Sequence, residues 1–128
     1  MEIIIGEQKG KAILLEENAP QTCNIIWDKL PLEGDLHYAK IAGKEVYTIV
    51  PILLRPPIEK GMSTTTLDLG SIIYYPNRQM LCIFYGPTKE TVEVLVIAKI
   101  IENLEGLIKE MDKVKVKQGM KVLFRKAC

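Results

Sequence analysis

Ser71-Ile72-Ile73-Tyr74-Tyr75-Pro76-Asn77-Arg78-Gln79-Met80-Leu81-Cys82-Ile83-Phe84-Tyr85 decides the fold. Branched and aromatic side chains suit a pleated, half-buried backbone, so residues 71–75 and 79–85 read as two strands. Pro76-Asn77-Arg78 supplies a tight reversal between them, and Gly86-Pro87-Thr88 closes the hairpin. Downstream, residues 91–101 are rich in Val and Ile and read as a buried strand. Asn103 then caps a short helix over 104–111, with Leu104, Leu107, Ile108 and Met111 on one face. Residues 112–118 alternate charge with Val, and 120–125 form a last strand.

Upstream of the hairpin the pattern is similar. Residues 35–41 and 44–50 read as a second hairpin around Ala42-Gly43, with Leu36 and Tyr38 in one phase and Ile41 in the other. Residues 51–57 hold three prolines, which excludes a central strand and leaves an edge strand or an extended crossing segment. Residues 59–66 read as a polar loop. At the start, residues 2–5 and 11–15 are short apolar runs joined by a turn over 6–10. Asn18-Ala19-Pro20-Gln21 opens a helix, with Asn18 as the cap, Pro20 where a missing N–H costs nothing, and Gln21 placed to reach back. Cys23, Ile26, Trp27 and Leu30 form its apolar face, and Pro31 and Gly34 end it.

About eight strands and two helices in 128 residues imply one mainly β domain over 1–128. Short turns favour a closed or nearly closed barrel with a helix at each end. Seventeen basic and sixteen acidic residues leave a net charge of +1, no footprint for nucleic acid. Residues 99–128 are richer in lysine. A solvated face explains this, and a weak contact with an anionic surface is the alternative. The longest apolar run, 94–101, contains Lys99 and falls short of the roughly 18 residues of a membrane span. The N-terminus lacks the features of a signal peptide, so a soluble, cytoplasmic protein is expected.

Much chemistry is absent. His37 is the single histidine, and its place between Leu36 and Tyr38 suits a surface or packed ring. It leaves no metal-ligand spacing with Cys23, Cys82 and Cys128, and no serine triad. Phosphate-binding glycine loops are missing, so no metal or cofactor is expected. Cys23 and Cys82 read as small core residues and Cys128 as an exposed terminal thiol. Glu16-Glu17 supply favourable charge ahead of a helix. Tyr38, Tyr47, Tyr74, Tyr75 and Tyr85 lie in strands. They either pack the barrel with hydroxyls at its rim or line a ligand pocket anchored by Glu45. Glu45 and Tyr47 share a strand face by period two.

Three stretches resemble cyclophilins. Residues 13–26 are similar to the cyclophilin strand that leads into an Ala-Pro-x-Thr helix. Val46-Tyr47-Thr48-Ile49-Val50-Pro51-Ile52-Leu53-Leu54 resembles the Phe-His-Arg-Val-Ile-Pro-Gly-Phe-Met segment. Residues 96–109 resemble the Val-Phe-Gly-Lys-Val strand and its following helix. Gly70-Ser71-Ile72-Ile73-Tyr74-Tyr75-Pro76 and Leu81-Cys82-Ile83-Phe84-Tyr85-Gly86 look like the short atypical cyclophilins of bacteria and archaea. In those, Asp stands at the place of Ser71 and Trp at that of Tyr75, and a Glu-x-Tyr pair matches Glu45 and Tyr47.

The resemblance implies an eight-stranded barrel capped by two helices, with a groove for a proline-containing peptide or small ligand. Active cyclophilins lower the roughly 18–20 kcal/mol barrier of the peptide bond with an arginine donor. That arginine falls on Thr48, the pocket Phe and Met on Leu53 and Leu54, and the pocket Gln on Pro56. A further Phe falls near Leu81, with Gln79 retained beside it. The Trp and His upstream of the Val-Phe-Gly strand fall on Lys89 and Val94. Arg55 is the candidate substitute donor. The implied site is Glu45, Tyr47, Thr48, Leu53, Leu54, Arg55, Gln79 and Leu81. It supports either a weak peptidyl-prolyl isomerase or a binding barrel without catalysis. An interaction module of a larger assembly is a further reading.

Overall fold

The computed structural model describes residues 1–39, 43–50, 61–63, 68–75, 79–88, 93–117 and 119–127. In chain order the elements are β1 (Glu2–Ile5), β2 (Gln8–Leu14), α1 (Pro20–Lys29), β3 (Leu32–Tyr38), β4 (Gly43–Ile49) and β5 (Gly61–Ser63). They continue with β6 (Ser71–Tyr75), β7 (Met80–Thr88), β8 (Glu93–Glu102), α2 (Leu104–Lys113) and β9 (Met120–Arg125). Every pairing is antiparallel. The strands run β2-β1-β9-β3-β4-β7-β6-β8, and β8 pairs back onto β2, which closes an eight-stranded barrel. Closure leaves each of these strands a hydrogen-bonding partner on both sides. β5 pairs with β8 at Gly61↔Leu95, on the part of β8 that β2 leaves uncovered.

Alternation sorts the side chains. Ile3 and Ile5, Val122 and Phe124, and Leu81 and Ile83 point inward and are buried in one core. Each such side chain contributes about 1.5–3 kcal/mol of burial. The helices supply Cys23 and Ile26, and Leu107 and Met111, to the same core, and Val114, which caps the end of α2, joins them. The Cys23 thiol donates to the Ile97 carbonyl at 3.2 Å, which ties α1 to β8.

Two glycines set close approaches. A Cβ on Gly10 would lie 2.7 Å from Leu107 Cδ1, so the bare backbone of β2 lets α2 settle on it. Gly34 was expected to stop the first helix, but α1 already ends at Lys29 and Gly34 sits inside β3. Its reason is steric, because a Cβ there would collide with Thr48 Oγ1.

Other expectations are corrected by pairing. The first hairpin turns at Gly6-Glu7, with Ile5 opposite Gln8, rather than over five residues. β7 continues through Gly86–Thr88, because β4 supplies a partner as far as Gly43↔Thr88. β5 lies within the stretch read as a polar loop. The cap of α1 is Ala19, one residue later than expected, because Leu15 O accepts both the Asn18 and Ala19 amides. Asn103 does sit at the cap of α2, but in the left-handed conformation and without a side-chain bond to the helix. Its Nδ2 donates instead to Gln8 Oε1 at 3.1 Å and Lys9 O at 2.9 Å, which pins the start of α2 to the first hairpin. Residues 112–117 complete α2 and turn rather than extend. The proline-rich stretch 51–57 and Cys128 lie outside the described residues. Among those described, no helix is long and apolar enough to cross a membrane.

Candidate functional site

The outer face of the barrel carries its own apolar cluster. Ile73, Cys82, Phe84 and Val96 are buried there, with Tyr47, Met80 and Leu15 packed against them. Register explains the grouping. His37 lies opposite Tyr47, Tyr47 opposite Cys82, Cys82 opposite Ile73, and Ile73 opposite Val96, so one row crosses five strands. The His37 and Tyr47 rings meet at 5.4 Å between centroids, tilted by 35°.

Glu45 belongs to this face, opposite Phe84 and two residues from Tyr47. It is 5% exposed. A carboxylate so far from water is costly unless compensated by a hydrogen bond or a cation, which makes it the chemically distinctive group of the face.

The expected site residues divide. Glu45 and Tyr47 come together outside. Thr48 and Leu81 pair with each other and point into the barrel, where Thr48 Oγ1 is buried without a hydrogen-bond partner. Thr48, at the place of the cyclophilin arginine, therefore offers nothing to an outer groove. Gln79 precedes β7 with a φ of 51°, and its carbonyl accepts the Val50 amide at 2.8 Å. Its side-chain Oε1 is buried and lacks a partner. Leu53, Leu54 and Arg55 lie outside the described residues, as do Pro56 and Lys89.

The tyrosines also divide. Tyr47 is outside, whereas Tyr74 and Tyr85 fill the core. The Tyr85 hydroxyl has no partner, and burial, then the charges of Asp112 and Tyr38, push its pKa up to about 12 from 10.0. The folded state thus holds a proton that the unfolded chain releases near pH 10. Its contribution to stability is complete below that pH and disappears as pH rises toward 12. Tyr85→Phe is expected to remove this alkaline loss, seen as a smaller fall in urea midpoint between pH 9 and pH 11 than in the unsubstituted protein. Equal falls would show that the phenol does not titrate differently in the two states.

A cleft that the sequence reading did not single out lies between α1 and β2, with a volume of about 790 Å³ and Trp27, Cys23 and Leu14 in its wall. Trp27 stands on the apolar face of α1, where it packs against the core while also lining this cleft. The exposure of Ile13 beside it is legible only once β2 is placed. Among the described residues no group of three or more His, Cys, Asp or Glu is arranged to hold a metal ion.

Two solved structures share the fold. McbB in complex with tryptophan superposes with a TM-score of 0.87 at 19% identity, over 99% of this chain and 45% of that chain. This chain therefore spans less than half the length of McbB. The solution structure of the hypothetical protein AF2241 from Archaeoglobus fulgidus gives 0.69 at 23% identity, over 98% of this chain and 92% of that one. The closed barrel with two helices fits a cyclophilin-like architecture in outline. No curated protein matches the chain. Residues 3–124 match the family described as "Protein of unknown function (DUF3830)", and the chain belongs to that family.

Proposed function

We propose that the protein binds a small ligand bearing an amino group on the outer face of its barrel. Glu45 would take the ammonium, and the half-buried rings of Tyr47 and His37 would flank the apolar body of the ligand. The observation that carries this reading is a nine-tenths-buried carboxylate on an otherwise apolar face. Few convergent polar groups on an apolar floor are the usual make-up of a small-molecule site. McbB, of like fold, was solved with tryptophan, a ligand of this class. A reducing, cytoplasmic setting belongs to the same reading, in which Cys23 and Cys82 serve as small buried apolar residues of the two clusters.

The sequence resemblance to the atypical cyclophilins extends the proposal to proline-containing peptides, whose groove Leu53, Leu54 and Arg55 would help form. The interior position of Thr48 weighs against isomerase chemistry at that residue.

NMR titration separates these readings. Tryptophan is expected to shift the amides of Val46, Tyr47, Cys82 and Phe84. Glu45→Gln is expected to weaken binding by about 10–100-fold, the worth of a charged hydrogen bond. Unchanged affinity in that variant, or no shifts with any of several amines, would overturn the proposal. An Ala-Pro peptide tests the alternative: cis–trans exchange peaks appearing only with the protein would establish isomerase activity.

A further inference from the structure

We propose that the cleft between α1 and β2 is a second binding site, for a small molecule with a flat apolar body and one anionic group. β2 lies four strands from β4 in either direction around the ring, so this cleft and Glu45 itself stand on widely separated strands. One small ligand cannot span both.

The cleft has the dimensions of a ligand site. Its volume of about 790 Å³ falls within the roughly 300–1,000 Å³ usual for such pockets. Trp27 and Leu14 give it apolar walls, and Gln21 and Asn24 line it with amide groups. Its mouth is apolar where solvent would be expected. Ile13 is 52% exposed and Ile101 is 58% exposed, and the two stand on the neighbouring strands β2 and β8. Large branched side chains left in water beside a tryptophan-lined hollow mark a surface that gains by being covered.

The charges around it favour an anion. Lys126 Nζ stands 5.2 Å above the Trp27 ring, within cation–π range. Lys11 lines the cleft, and its partner Glu102 is 4.0 Å away, with both side chains largely exposed. So loose a surface pair leaves the ammonium available to a better-placed anion. Glu16, also in the lining, disfavours an anion on its own side and so directs the charged group toward Lys11 and Lys126.

Trp27 is the only tryptophan in the chain, so its fluorescence reports on this cleft alone. The probe is 1-anilinonaphthalene-8-sulfonate, an aromatic body with one sulfonate. Saturable quenching of Trp27 with energy transfer to the probe, at one probe per chain, is the expected result. Ile101→Glu places a repelling carboxylate at the mouth, on an exposed side chain whose loss the fold tolerates. It is expected to weaken binding at least tenfold at an unchanged melting temperature. N-phenyl-1-naphthylamine, the same body without the sulfonate, is expected to bind at least tenfold more weakly. Absence of saturable quenching, or quenching indifferent to Ile101→Glu, would overturn the site. Equal binding of the uncharged probe would overturn the anionic class.

Discussion

Truncating Phe124 to alanine is expected to destabilise the protein by about 3–5 kcal/mol, the largest effect of any single substitution discussed for this chain. Phe124 is 1% exposed, and β9 places it between Ile3 of β1 and Leu32 of β3. Its ring thus fills the barrel where three adjacent strands meet. A closed barrel relaxes poorly around a void, because each strand is held on both sides. The removed transfer free energy and the cavity cost therefore both apply. Against a typical total of roughly 5–15 kcal/mol, the loss is a large share of the whole. Thermal unfolding followed by circular dichroism is the check, with a midpoint lowered by roughly 10–20 °C. A change under about 1 kcal/mol would mean that the interior is not sealed at β9.

The second large effect is at Gly34. Gly34→Ala drives a methyl group into Thr48 Oγ1, and Thr48 Cβ stands 3.4 Å from the same point. Thr48 is buried and β-branched, so it has no easy rotamer to escape into. Overpacking of this kind costs about 1–3 kcal/mol or more. Thr48→Ala removes the colliding oxygen, which makes no hydrogen bond of its own, and should be tolerated. The double substitution is therefore expected to recover about 2 kcal/mol relative to additivity in a denaturant-melt cycle. Strict additivity would show that Gly34 is dictated by something other than Thr48.

Gly34 also shows why part of the fold was hidden in the sequence. A glycine after a helical pattern, three residues past a proline, is the ordinary stop signal. Only its pairing with Val122 on β9 reveals it as a strand residue, and only Thr48 on β4, fourteen residues later, shows why no side chain fits there. The runs of branched and aromatic residues in β1, β6 and β7 were legible because such a run needs no partner to be recognised. Gly86–Thr88 and Gly61–Ser63 were not, because their strand character comes from β4 and β8 rather than from their own propensity.

The candidate site followed the same rule. Glu45 and Tyr47 share a face by period two, and the structure places them together. The same periodicity separates Tyr47 from Thr48 and Leu81 from Cys82, so those four could not line one groove. Matching residues to a family segment concealed that alternation. The α1–β2 cleft was beyond the sequence altogether, since it arises from how a helix and a strand are set against one another.

The ring that joins β1 to β9 has a consequence for biosynthesis. Glu2 pairs with Arg125, so the first strand finds one of its two neighbours only when nearly all of the 128 residues exist. Such long sequence separation means high contact order and slow folding, in milliseconds to seconds rather than microseconds. During translation the nascent chain must wait with Ile3 and Ile5 unable to complete their pairing. Until the ribosome releases the last strand, the edge of β1 is open to other chains, and that interval is when the protein is most exposed to aggregation.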